Sequence, residues 1–210
     1  MLRVLIADDH AIVRRGLIEI LLRELENPIC GEAENAQQAL AQVQSQSWDL
    51  VILDVSMPGR SGIEVLSDLK RTHPKLPVLV LSMHPEGQYG KRVLKAGASG
   101  YMNKDSAPEE LIKAIRKVLA GGRYVSPALA EKLAWDLNED NARLPHEALS
   151  DREFEVLRMI GAGKTISQIA RELHLSVATI STYRARILEK MNMATNAELM
   201  RYAFQNRLVE

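Results

Sequence analysis

Three carboxylates, a hydroxyl and an ammonium recur at equivalent places along this 210-residue chain: Asp8 and Asp9, Asp54, Ser82 and Lys104. Each stands at the end of a short apolar run. Leu2 to Ala7 leads to the acidic pair, and Leu50-Val51-Ile52-Leu53 leads to Asp54. Val78-Leu79-Val80-Leu81 leads to Ser82, and Gly100-Tyr101-Met102 leads through Asn103 to Lys104. Taken singly, such residues read as strand caps, turn formers or a solvated lysine. Together they describe a site. Clustered carboxylates repel one another and suit a hard dication such as Mg2+, which takes one or two carboxylates and keeps its waters. With that charge offset, an aspartate oxygen can attack phosphorus. A lysine can then neutralise the phosphoryl oxygens, most of what phosphoryl transfer asks of a protein. Asp54, central among the acids, is the candidate nucleophile. Lys104 is its counter-ion, and the Ser82 hydroxyl is placed to detect a new phosphoryl oxygen.

These residues converge only if their strands lie parallel in one sheet, and the intervening sequence supports that. Apolar runs closed by turn signals, such as Leu50 to Asp54 before Met57-Pro58-Gly59, read as strands buried on both faces. Between them the apolar residues fall at helical spacing: Val13, Leu17, Ile20 and Leu21; Ala36, Ala39, Leu40 and Val43; Ile63, Leu66 and Leu69; Val93 and Leu94; Leu111, Ile115, Val118 and Leu119. With Ile29 to Ala33 as a further short strand, five strands alternating with five helices require parallel pairing and right-handed crossovers, a doubly wound α/β domain over residues 1–122. Its ligand-handling edge is the carboxyl edge of the sheet. Gly87 and Gly90 fall inside the helix after Ser82 and cost it about 1 kcal/mol each against alanine, so that helix is expected to be labile.

Composition is that of an ordinary globular protein, 46% hydrophobic and 26% charged, long enough for two domains. The net charge is zero, with an acidic excess in 125–148 and a slight basic excess in 149–210, so any affinity for nucleic acid must be local. The single cysteine, Cys30, forms no intrachain disulfide and reads as a small buried hydrophobe. No apolar run approaches a membrane span and no leader-like segment opens the chain, so a cytoplasmic protein with no membrane partner is expected.

Residues 123–148 read as a joint. Leu129, Leu133 and Leu137 share a helix face, and the polar stretch from Asn138 to Pro145 reads as a linker. Helix starts then become dense over 149–210. Ser150 with Glu153, Thr165 with Gln168, and Thr195 with Glu198 are capping boxes, and Ser176 caps a further helix. Four short helices form a small all-α domain, with 166–173 and 177–191 at helix-turn-helix spacing. The second of that pair carries Val177, Ile180, Ile187 and Met191 on an apolar face. Ser181, Thr182, Tyr183, Arg184, Ala185, Arg186 and Lys190 lie on the other. Small polar residues early suit contact with base edges, and the later cations suit phosphates.

On these residues the chain resembles a two-component response regulator of the NarL/FixJ subfamily. The acidic pair, Asp54 before Met57-Pro58-Gly59, Ser82, Ala96-Gly97-Ala98-Ser99-Gly100-Tyr101 and Lys104 are similar to a flavodoxin-like receiver domain. Leu149 to Leu157 and Ser176 to Arg184, including Thr179, are similar to a LuxR-type helix-turn-helix. The resemblance implies Mg2+ held by Asp9, Asp54 and the Ser56 carbonyl, with Asp8 acting through water. It implies that Asp54 takes phosphate from a sensor histidine kinase, and that Tyr101 turns inward as Ser82 moves to the phosphate. It further implies homodimerisation on phosphorylation, binding to double-stranded DNA as two half-sites, and a regulator instead of an enzyme. Two departures stand out. Ser56 replaces a bulkier residue and, with His84, is expected to alter the phosphoryl lifetime. Ser181 stands where many relatives carry lysine. A constitutive DNA binder with a vestigial receiver, and an aspartate-nucleophile phosphatase, are the alternatives.

Overall fold

The computed structural model describes residues 1–57, 60–138 and 144–209. The Pro58-Gly59 turn and most of the expected linker, residues 139–143, lie outside the described residues. The chain forms two compact units, 1–138 and 139–210.

The first unit alternates strand and helix: β1 (Arg3–Ala7), α1 (Ala11–Glu24), β2 (Ile29–Ala33), α2 (Ala36–Ser45), β3 (Leu50–Asp54), α3 (Gly62–Thr72), β4 (Val78–Ser82), α4 (Glu86–Lys95), β5 (Gly100–Asn103), α5 (Pro108–Leu119) and α6 (Pro127–Asn138). The sheet order is β2-β1-β3-β4-β5, every pair parallel. β3 and β4 are buried at every position, which is why they read as unbroken apolar runs instead of alternating ones. One face packs Val4, Ile6, Ile52, Leu79 and Leu81 against Leu17 and Leu21 of α1 and Leu111, Ile115 and Val118 of α5. α6, read from the sequence as part of a joint, belongs to this unit and packs on α4.

The second unit holds α7 (Asp151–Gly161), α8 (Ile166–Glu172), α9 (Val177–Met191) and α10 (Asn196–Gln205), preceded by a 3₁₀ turn, Pro145–Ala148. All three capping boxes form, and the Ser176 hydroxyl accepts the Thr179 amide. α7 is central, packing on α9 and α10 through Phe154, Leu157 and Ile160. α9 ends on Asn192 in the left-handed region (φ 52°), with Met193 N donating to Leu188 O as in a Schellman cap. Val177, expected inside, is 51% exposed because it opens α9 ahead of its buried stripe.

Candidate phosphoacceptor site and nucleic-acid interface

β1 and β3 are neighbours at the middle of the sheet, where strand order reverses, so the acidic pair and Asp54 leave its carboxyl edge side by side. Next in order, β4 and β5 deliver Ser82 and Lys104. Asp8, Asp54 and Ser82 are all almost wholly buried. Lys104 bridges the acids, its Nζ 2.6 Å from Asp8 Oδ2 and 2.8 Å from Asp54 Oδ2. Burial, the largest influence, pushes the Asp54 carboxyl above its ordinary range, Lys104 draws it back, and Asp8 pushes it up again. Burial also works against the Lys104 ammonium, but the attraction of Asp54 and Asp8 outweighs it and leaves its pKa raised. One lysine facing this many buried carboxylates leaves negative charge uncompensated.

That surplus fits a hard dication. Ligand atoms of Asp8, Asp9, His10 and Asp54 lie within 4.8 Å of one another. Asp9 Oδ1 and Asp54 Oδ2 are buried without an aligned hydrogen-bond donor, although His10 Nδ1 and Lys104 Nζ each stand 2.8 Å away as charge partners. Ser56 follows directly, its amide donating to Asp54 Oδ1 at 3.2 Å. Two groups hold this edge in shape. Gly62 starts α3 against the Asp54 backbone, where a Cβ would stand 2.1 Å from the Asp54 carbonyl oxygen, and its amide donates to Val55 O. Arg14, buried on α1, donates to the Asp8 carbonyl at 2.8 Å and pairs with Glu32 and Glu34. Neither Arg14 nor His10 stands out as a site residue in the sequence. For Arg14 the available signal is its place three residues before Leu17 on the buried stripe of α1.

The expected switch residues share one loop. The Ser82 hydroxyl accepts the His84 amide at 3.1 Å, and the Tyr101 hydroxyl donates to the His84 carbonyl at 2.7 Å. Tyr101 is fully buried, and the His84 carbonyl gives its phenol a partner inside. The His84 ring stacks on Tyr89 at 4.7 Å, and its Nε2 lies 3.1 Å from Ser56 Oγ, so Ser56 and His84 are in contact.

In the second unit Ser181, Thr182, Ala185 and Arg186 are exposed on one face of α9, with Tyr183 and Arg184 half-buried at its edge. The Ser181 and Thr182 hydroxyls donate back to the carbonyls of Val177 and Ala178, leaving their lone pairs outward. Thr179 is engaged at the cap with Ser176. Arg184 Nε donates to Asn196 Oδ1. Lys190 Nζ is 2.6 Å from Oε2 of the buried capping-box residue Glu153, tying α9 to α7. Burial is the largest influence on Glu153 and acts upward, but Lys190 and the Ser150 hydrogen bonds prevail and hold its carboxyl below the ordinary range.

Residues 4–116 match the response regulator receiver domain family, and residues 147–203 match the luxR family of bacterial regulatory proteins. The chain is 35% identical over 210 residues to the response regulator GacA of Pseudomonas protegens, covering all of this chain and 99% of that protein. It is 33% identical over 209 residues to the response regulator UvrY of Escherichia coli, covering 99% and 96% of the two. Among solved structures it resembles RcsB from Salmonella enterica serovar Typhimurium bound to promoter rprA with phosphomimetic BeF3-, at 30% identity and a TM-score of 0.65, over 96% of this chain and 98% of that one. The chain therefore belongs to the two-component response regulators with a LuxR-type DNA-binding domain, as its fold and motifs led one to expect. No helix among the described residues is long and apolar enough to cross a membrane.

Proposed function

We propose that the chain is a phosphorylation-gated transcription regulator in which Asp54 takes a phosphoryl group from a sensor histidine kinase. The observation that carries this is the buried, under-compensated carboxylate cluster with Lys104 between Asp8 and Asp54. An Asp54 oxygen attacks phosphorus, the bond from phosphorus to the kinase imidazole breaks, and the imidazole leaves with its electron pair. Asp9, Asp54 and the Ser56 carbonyl would hold Mg2+, with Asp8 reaching it through water. The ion supplies charge neutralisation for the phosphoryl oxygens. Lys104 leaves its bridging position to pair with the new anion, which brings about −1.5 to −2 charge. Ser82 gives up the His84 amide to hydrogen-bond a phosphoryl oxygen, and the loop that Tyr101 also holds then rearranges.

The output is homodimerisation and binding of two DNA half-sites by α9. Ser181 and Thr182 present lone pairs to base-edge donors, with Tyr183 beside them. Arg184 and Arg186 pair with phosphates. Thr179 acts by fixing the start of the helix. A cytoplasmic location follows from the kinase and DNA partners.

Wild-type chain and Asp54→Ala, each treated with acetyl phosphate and Mg2+, test the reading by intact mass, solution mass and DNA binding. Wild type is expected to gain one phosphoryl group, dimerise and bind DNA more tightly, and Asp54→Ala to do none of these. An Asp54→Ala chain that still responds refutes the assignment.

A further inference from the structure

One of the two glycines inside α4, Gly90, makes room for a residue outside α4. A Cβ at Gly90 would stand 2.6 Å from Leu129 Cδ2 and 2.9 Å from Leu129 Cδ1, and Leu129 of α6 is only 2% exposed. The Gly87 carbonyl accepts Lys132 Nζ at 2.7 Å. The Glu86 carboxylate accepts the Ser126 hydroxyl, and that same hydroxyl oxygen caps α6 by accepting the Leu129 amide at 3.1 Å. The segment leading into α6 is stitched to the switch strand: Tyr124 N donates to Ser99 O, and Tyr101 N donates to Tyr124 O. α4 is thus shaped to receive α6, its missing side chain at Gly90 making the slot and its first turn supplying polar clamps.

Glu86 and Gly87 follow His84 with only Pro85 between. His84 is held at its amide by Ser82 and at its carbonyl by Tyr101. A shift of Ser82 toward a phosphoryl group removes one of those holds at the very turn that clamps α6. α6 has 12 residues, a length at which an undocked helix is marginal in water, so losing its seat means losing its structure.

We propose that the α4 face formed by Glu86, Gly87 and Gly90 is an intramolecular docking surface for α6, and that phosphorylation opens it. The inference rests on the phosphoacceptor reading of Asp54. α6 is the last element before the DNA-binding unit, so its docking is a restraint on that unit which the receiver can remove.

Amide exchange of the full chain, with and without beryllofluoride and Mg2+, tests it. A duplex enriched from a random pool by the beryllofluoride-treated wild type is the binding probe. Peptides covering 127–138 are expected to be protected at rest and to exchange about tenfold faster with beryllofluoride. Gly90→Leu fills the slot and is expected to expose α6 and tighten duplex binding several-fold without beryllofluoride. Leu129→Ala removes the knob and is expected to do the same, so a poorly folding Gly90→Leu leaves the test intact. Gly16→Ala, whose Cβ on α1 meets nothing within 4 Å, is expected to keep α6 protected. Unchanged protection of 127–138 in a beryllofluoride sample that binds the duplex more tightly overturns the docking switch and leaves Asp54 standing. Variants that expose α6 yet bind as wild type overturn its regulatory role. A chain in which beryllofluoride moves neither exchange near Asp54 nor duplex binding refutes the phosphoacceptor reading and the switch with it.

Discussion

Replacing Lys104 by methionine removes the one cation between two buried carboxylates while keeping the side chain's length. The Asp8 and Asp54 side chains are 3% and 1% exposed, and Lys104 lies within 2.8 Å of both. Breaking a buried ion pair from one side costs about 3–5 kcal/mol, because the remaining charge is left uncompensated. Protonation relieves part of this, and Asp54 is already raised by burial, so the lower end, about 3 kcal/mol, applies near neutral pH. In a unit of this size each kcal/mol moves the melting temperature by roughly 3–5 °C, giving a fall of roughly 10–15 °C for the first unit. The pH dependence has a definite sign. An acid whose folded pKa is raised disfavours the fold once ionised, so the deficit grows as pH rises above the ordinary carboxylate range and shrinks on acidification. Thermal melts by circular dichroism at several pH values in Mg2+-free buffer read this directly. Adding Asp54→Asn to Lys104→Met should restore at least half of the loss, since one of the two repelling charges is gone. A pH-independent loss below about 1 kcal/mol, or a double variant no more stable than the single one, would refute the electrostatic account of this site.

Three further outcomes are expected. Ser56→Met, which breaks the Ser56–His84 link and narrows the approach to Asp54, should slow phosphoryl decay severalfold; equal decay rates would sink the idea that this pair governs access. Glu153, with its carboxyl held low by Lys190 and Ser150, contributes stability present above its unfolded pKa and lost as pH falls through the folded one. The second unit's melting temperature should therefore drop below about pH 4.5, and the drop should flatten in Glu153→Gln. Arg186→Ala should reduce the slope of DNA affinity against salt by about one unit, whereas Lys190→Ala should leave that slope unchanged and lower the second unit's melting temperature; the reverse pattern would put Lys190 among the DNA contacts.

What could be read from the chain itself, and what could not, divides on whether a feature belongs to one element or two. The central strands β3 and β4 announce themselves locally, because a strand buried on both faces is a continuous apolar run. The site residues sit at or just past the ends of the strands, so parallel pairing alone brings Asp8, Asp9, Asp54, Ser82 and Lys104 to one edge. The capping boxes are likewise contained within four residues. Arg14 has no such local mark: a cation on a helix reads as solvent-facing, and only the fold sets it against the Asp8 carbonyl with Glu32 and Glu34. The partner of Lys190 is equally invisible locally, since Glu153 lies 37 positions earlier, on another helix. The glycines of α4 are the most instructive case. Judged within their own helix they weaken it, and nothing in the residues around them argues otherwise. Judged beside α6, Gly90 is the complement of Leu129, and a side chain there would remove the seat that α6 occupies. A residue that costs its own element stability is therefore a reason to look for the second element that uses the gap. Here α4 forgoes about 1 kcal/mol at Gly90 against alanine, and the close approach of Leu129 is what that position makes possible.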